Sequence, residues 1–325
     1  MRSGTVTGLW FALLSAASFG VSGPFAKSLL EIGWSPGAAV GVRIGGAALV
    51  LAVPVIIGLR GRWGTLRRNG LTLIIYGATA IALCQFFYFS AVQRMSVGVS
   101  LLLEYLAPVL IVGWLWVRSR RAPSRLTVSG SAAAMLGLLL VLDLTGDQRL
   151  DPVGVLFGLG AAVCLAVFFV MSAKADDDLP PLIMAGGGMM VGALTILVLG
   201  LAGVMPFAFT FQDVTLAGRQ AHWLVPVLVL VIIATVLAYF TGILAARGLG
   251  SKVASFVGLT EVMFAVLASW LILGELPSAI QLLGGALIVG GVILVRIDEL
   301  RRMPDAADPL DQPNVVEPVP TTGAG

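Results

Sequence analysis

Ten times along this chain an apolar run of about twenty residues recurs, and no other feature limits its folding so tightly. The runs cover approximately residues 8–30, 36–59, 71–93, 97–117, 126–143, 153–174, 181–204, 223–246, 253–273 and 277–296. A helix of that length crosses the roughly 30 Å hydrocarbon core of a bilayer. Inside lipid every backbone N–H and C=O must be satisfied within the structure, so only helices and closed barrels span it. Barrel strands alternate apolar and polar residues over about ten positions, and no such alternation occurs here. Composition agrees: 11% of residues are charged, against roughly 25% in a soluble domain. The sequence therefore reads as an all-α integral membrane protein with ten transmembrane helices, joined by connectors of 3 to about 18 residues.

With the N-terminus inside, the connectors "RGRWGTLRRNG" and "RSRRAPSR" also fall inside, as do Arg247, Lys252, Arg296, Arg301 and Arg302. About 15 of the 20 Lys and Arg then lie on one side, as the positive-inside rule requires. Both termini are accordingly expected in the cytoplasm. The net charge of +3 is spread over short loops rather than one face, so the partner is a lipid bilayer and not nucleic acid. Arginine outnumbers lysine about six to one, which points to a GC-rich bacterium and its inner (plasma) membrane. The tail, residues 299–325 ending in "PDAADPLDQPNVVEPVPTTGAG", is polar and proline-rich and is expected to be disordered.

The chain repeats itself. Pro108–Val141 lies on Val262–Val295 without a gap: Trp116 meets Trp270, Pro123 and Ser124 meet Pro277 and Ser278, Gly130 meets Gly284, and Gly137 meets Gly291. Upstream, "YFS" at Tyr88 answers "YFT" at Tyr239, and Gly8, Phe11, Leu13, Ala16 and Val21 fall on Gly154, Phe157, Leu159, Ala162 and Val167. The first run therefore pairs with the sixth. It is read as a retained helix, although Arg2 ahead of "LLSAASFG" has the outline of a secretory signal. Each half, 1–148 and 149–298, holds five spans. An odd number forces the second copy to enter the membrane inverted, and such folds bind substrate near the midplane between the halves.

At these residues the chain resembles a known family. "AYFTGILAARGLGSKVASFVGLTEVMFAVLASWLILGELPSAIQLLGGALIVGGVIL", with "SPGAAVGVRIGGAAL" and "FFYFSAVQRMSVGVSLLLEYLAPVL", is similar to the EamA family of the drug/metabolite transporter superfamily over about residues 8–296. The resemblance implies a ten-helix secondary transporter of small metabolites, commonly an exporter, with a cavity between the halves. One position departs: Val262 follows Glu261 where the family usually carries Pro.

A charge at a helix centre costs about 2.5–3.5 kcal/mol on insertion scales, so it usually faces a cavity or a partner. Glu104 and Arg43 each lie about seven residues from the outer ends of their spans, roughly 10 Å deep. They are candidates for a substrate site or for a purely structural pair. Pro108 lacks the N–H that would bond the carbonyl of Glu104, placing an acid and a freed carbonyl at one level. Glu261 is the acid of the ninth span, and the repeat puts Met189 where Arg43 stands, so no cation is in view. A carboxyl in low dielectric without a cation is costly to ionise, which suits either a proton carrier or a neutral acid bonded to backbone. Tyr88 and Tyr239 are repeat mates, Gln85 shares the Tyr88 face at i, i+3, and Tyr105 follows Glu104. Arg43, Gln85, Tyr88, Glu104, Tyr105, Tyr239 and Glu261 are thus the candidate substrate-binding residues. Tyr76 is weighted toward packing.

The other markers read as structure. Trp10, Trp34, Trp63, Trp116, Trp223 and Trp270 fall at span ends or in loops, as an interfacial belt should. Cys84 and Cys164 read as small buried side chains, His222 as a rim residue, and Asp143, Asp147, Asp151 and "ADDD" at 175–178 as solvated loop charge. The GxxxG pairs Gly41/Gly45 and Gly154/Gly158 permit close helix approach and leave a homodimer open. No nucleotide loop, HExxH or GxSxG occurs, which argues against a pump or an enzyme and implies no cofactor or metal. A channel would line its path with continuous polar groups, whereas here they cluster at mid-depth. The expected function is secondary active transport: export of amino-acid-like metabolites coupled to protons. A facilitative uniporter, a channel or a multidrug cation exporter of the same fold is the alternative.

Overall fold

The computed structural model describes residues 3–61, 63–95, 97–142, 151–174, 179–273 and 276–302. Asp143, Asp147, the 175–178 acids and the tail from Met303 lie outside these residues. The described chain is helical apart from one short hairpin. Its helices are α1 (Ser3–Gly20), α2 (Ser22–Glu31), α3 (Pro36–Leu59), α4 (Trp63–Ile75), α5 (Cys84–Val92), α6 (Val97–Glu104), α7 (Ala107–Ser119), α8 (Arg125–Val141), α9 (Pro152–Lys174), α10 (Pro181–Leu201), α11 (Leu224–Leu228), α12 (Ala238–Gly258), α13 (Thr260–Leu273) and α14 (Ala279–Arg302). Two π-helical stretches, Tyr76–Leu83 and Val229–Leu237, join α4 to α5 and α11 to α12.

Eight helical segments are long and apolar enough to cross a membrane, and Arg125–Val141 and Thr260–Ile272 are shorter apolar helices. One of the eight, Leu224–Gly258, is broken at Gly250, whose φ of 77° and ψ of 161° are not helical. Only glycine adopts that backbone without strain, so the chain turns there.

Local chemistry sets the helix starts. Ser35, Ser124 and Ser278 each accept a bond from the backbone N–H three residues on, and the Gln281 side-chain oxygen in return accepts from the N–H of Ser278. This is the reciprocal cap expected of Ser followed at the third position by Gln. The carboxylate of Asp151 accepts from the N–H of Gly154 at 2.7 Å and caps α9, a role beyond solvated loop charge.

Packing runs between the two halves. α1 lies on α12 and α13, α9 on α5 and α6, α3 on α10, and α8 on α14. The first helix is therefore integral to the bundle. Small residues let the backbones meet: a Cβ at Gly137 would stand 2.5 Å from the Gly284 carbonyl, and one at Gly130 2.8 Å from that of Gly291. Gly154 and Gly158 receive Met95 and Leu103, so that GxxxG pair serves contacts within the chain.

The helix ends sort onto two faces. The α1 and α14 termini and the connectors near Arg60, Arg121, Leu179 and Gly250 make a terminal face. There Asp298, buried, accepts bonds from Ser124, Thr127 and Lys252. On the opposite face residues 202–223 form a strap with an antiparallel hairpin, Val214–Leu216 paired with Arg219–Ala221. Trp34, expected at a membrane interface, is instead only 4% exposed, because this strap covers it. It packs on Phe209 and Trp223 and donates its indole N–H to the Thr210 carbonyl.

Candidate functional site

Between the halves lies a cavity of about 290 Å³. All seven candidate residues line it: Arg43 from α3, Gln85 and Tyr88 from α5, Glu104 and Tyr105 at the junction of α6 and α7, Tyr239 from α12, and Glu261 from α13. Residues from five helices and both halves, scattered over more than 200 positions of sequence, thus share one space.

Breaks in the helices place the acids. α6 ends at Glu104 and α7 begins at Ala107, with Pro108 in its first turn. The interruption follows from the missing proline N–H. The partner acid sits in the same local setting, since α12 ends at Gly258 and Glu261 lies in the first turn of α13. Both carboxyls therefore emerge where backbone changes direction beside the cavity, the arrangement by which discontinuous helices line transport sites.

Of the two readings of Arg43 and Glu104, substrate site or structural pair, the direct ion pair that the second requires is not formed. Arg43 donates from Nε to the Thr235 hydroxyl at 2.8 Å and from Nη2 to the Ala234 carbonyl at 3.0 Å, with its guanidinium 5.8 Å from the Phe19 ring centroid. The Thr235 hydroxyl in turn donates to the carbonyl of Leu230, five residues back, within the π-helical stretch. That local geometry turns a hydroxyl and a carbonyl toward the arginine and holds it without an acid. Glu104 accepts instead from the Cys84 thiol at 3.4 Å, while Glu261 neighbours the Tyr105 hydroxyl. Among the described residues neither acid has a basic side chain within 4 Å. Gln85 neighbours the Tyr239 hydroxyl.

Sequence reasoning missed part of this wall. Cys84, read as inert packing, and Ser15, Phe19, Ser255 and Phe168 also line the cavity. Nothing in an apolar run marks a lone Cys, Ser or Phe as cavity-facing. The Ser15 hydroxyl donates to the Ala238 carbonyl and joins α1 to α12. No group of three or more His, Cys, Asp or Glu among the described residues is placed to hold a metal ion.

A bundle of long apolar helices around a cavity, with an arginine and two acids at its wall, defines a helical membrane protein with charged groups gathered between its halves. The model of the EamA-like transporter family matches residues 6–143 and again 152–297, and the chain belongs to that family. It is 26% identical to the threonine/homoserine exporter RhtA of Escherichia coli strain K12, over 87% of this chain and 90% of that protein. It is also 26% identical to the uncharacterized transporter YwfM of Bacillus subtilis, over 88% of this chain and 92% of that one, and 22% identical to the uncharacterized inner membrane transporter YicL of Salmonella typhimurium, over 73% and 76%. A solved crystal structure superposes with a TM-score of 0.65 at 21% identity, over 91% of this chain and 98% of that one, and so shares the fold.

Proposed function

We propose that this chain is a proton-coupled secondary exporter of amino-acid-like metabolites in a bacterial inner membrane, built as two inverted five-helix repeats with both termini cytoplasmic. The observation that carries the reading is the convergence of Arg43, Glu104 and Glu261 on one cavity between the halves. Two of the five N–H donors of a guanidinium are spent on Thr235 and Ala234, which leaves three to receive a carboxylate. The acids across the cavity suit an ammonium group. At about 290 Å³ the space is near the lower end of the roughly 300–1,000 Å³ of ligand pockets, a size for a metabolite. The RhtA relatives are named for threonine and homoserine, which supports the amino-acid class.

The packing supports an inverted repeat of ten crossings. Under the sequence superposition Gly130 corresponds to Gly284 and Gly137 to Gly291. In the bundle Gly130 meets Gly291 and Gly137 meets Gly284, so the superposition exchanges the two contacts. Two antiparallel helices related this way have their two-fold axis across them, in the membrane plane. The two family-model matches and the two π-helical stretches, one per half, support the same reading.

A second reading, export of lipophilic cations, draws on the excess of two acids over one arginine in the cavity. A thermal-shift screen of the purified protein separates the two, because a ligand that binds only the folded state stabilises it, by about 2.7 kcal/mol at a hundred times Kd. Neutral amino acids should raise Tm. Shifts from cationic dyes alone would select the second reading, and no shift from either class would defeat both.

A further inference from the structure

The cavity is divided along its length. Arg43 sits over the Phe19 ring near the C-terminal end of α1, and the Glu261 carbonyl is 2.9 Å from where a Cβ would stand on the adjoining Gly20. Glu104 is close enough to both to interact electrostatically, so the three charged groups gather at this end. The lining then continues toward the terminal face. Ala12 is seven residues before Phe19 on α1, about 10 Å along the helix. Ala245 and Ala254 stand five residues before and four after the Gly250 turn.

This second end is apolar. Ala12, Ala245 and Ala254 belong to one buried cluster, and Phe169 packs against it. Two rings use space left by glycine: a Cβ at Gly242 would stand 3.1 Å from the Phe168 ring, and one at Gly258 3.1 Å from that of Phe169. Phe168 lies edge-on to Tyr239 at 5.6 Å and to Phe169 at 5.0 Å, so rings line the way from the charged groups to the alanines. The serine hydroxyls here are already donated to backbone, Ser15 to the Ala238 carbonyl and Ser255 to the Lys252 carbonyl, each at 2.8 Å. Among the described residues no charged side chain lines this end.

An amino acid carries the same division, with two charges at one end and a side chain at the other. We propose that Ala12, Ala16, Phe168, Phe169, Ala245 and Ala254 form a subsite for the substrate's side chain. It selects a bulky apolar group, of leucine or phenylalanine size, over the hydroxylated side chains of threonine and homoserine for which the RhtA relatives are named. This rests on the amino-acid reading above and deepens it by naming the substrate class. A methylene that fills an apolar pocket changes discrimination by about 10- to 200-fold. A substrate hydroxyl brought to this end gives up water where the serine protons are already spent, and an unpaired buried hydroxyl is costly.

Titration calorimetry of the purified protein ranks the ligands directly. Leucine and phenylalanine should bind at least about tenfold tighter than threonine, homoserine and alanine. Ala254→Val adds two methyl carbons to the subsite wall, so it should cut the ratio of phenylalanine to alanine affinity by about tenfold or more. A substitution that only disturbed packing would lower both affinities together and leave that ratio unchanged. Ala254→Gly, which widens the space, should not reduce it. Should Ala254→Val misfold, Ala12→Val puts the same question from α1, and the wild-type ranking needs neither variant. Threonine or homoserine binding as tightly as leucine would overturn the subsite, and so would a ratio untouched in folded Ala254→Val. A wild type that binds none of these amino acids would count instead against the amino-acid reading itself.

Discussion

Thr235 decides how Arg43 meets a substrate. Its hydroxyl accepts from Nε and donates to the Leu230 carbonyl, so the guanidinium is held from the eighth membrane run rather than by an acid. Thr235→Val keeps the shape and removes the acceptor. A hydrogen bond to a charged group contributes about 1.5–3 kcal/mol, which corresponds to roughly 10- to 100-fold in affinity. The variant should fold normally and bind a neutral amino acid more weakly by that factor in a titration calorimeter, while Thr235→Ser should bind nearly as wild type. Unchanged affinity in Thr235→Val would show that Arg43 needs no such support. The charged members of the cavity were legible in the sequence, because Arg43, Glu104 and Glu261 stand alone in oily runs where charge is costly. Thr235 and Cys84 were not: a single small polar or soft side chain costs little in a helix, and its partner is fixed only by packing.

Helix breaks and glycine contacts act together at the level of elements. The α6–α7 junction was readable from Pro108, whereas the α12–α13 junction follows Gly258 and Leu259 with no proline to announce it. The π-helical stretches were not readable at all, since they differ from α-helix in ladder register and not in composition; such segments are frequent at functional sites. The glycines of α8 and α14 allow a sharp contrast. A Cβ at Gly137 falls 2.5 Å from a backbone carbonyl, closer than real Cβ contacts, whereas Gly290 has nothing within 4 Å. Gly137→Ala should therefore lower Tm, with overpacking costing about 1–3 kcal/mol. Gly290→Ala should hold or raise it, as replacing a mid-helix glycine gains about 0.5–1 kcal/mol. Equal effects of the two substitutions would mean that α8 and α14 do not meet through their backbones.

For the whole molecule, the proposed orientation rests on charge. The basic connectors gather on the terminal face, which the positive-inside rule would put in the cytoplasm. Single cysteines placed at the exposed Gln220 and Ser278, in a background lacking Cys84 and Cys164, should react with an impermeant thiol reagent in intact cells. One at the exposed Arg121 should react only after lysis, and the reverse pattern would invert the assignment. The all-helical membrane class was legible because lipid imposes a length on every crossing, and eight helical segments are long and apolar enough to make one. The strap over Trp34 was not, for its pairing partners are distant in sequence and its aromatic residues resemble an interfacial belt.

Glu261 carries the central claim, that a proton gradient drives substrate through the cavity. It is a cavity-lining acid with no basic side chain within 4 Å among the described residues, in a sequence without a nucleotide-binding loop. Purified protein in inverted-orientation proteoliposomes should accumulate a neutral amino acid when a pH gradient is imposed, with proton movement in the opposite direction. Glu261→Gln mimics the protonated acid, so it should abolish that gradient-driven flux while leaving exchange between compartments of equal pH. Gradient-driven accumulation that survives in Glu261→Gln, or wild-type flux with no accompanying proton movement, would contradict the coupling.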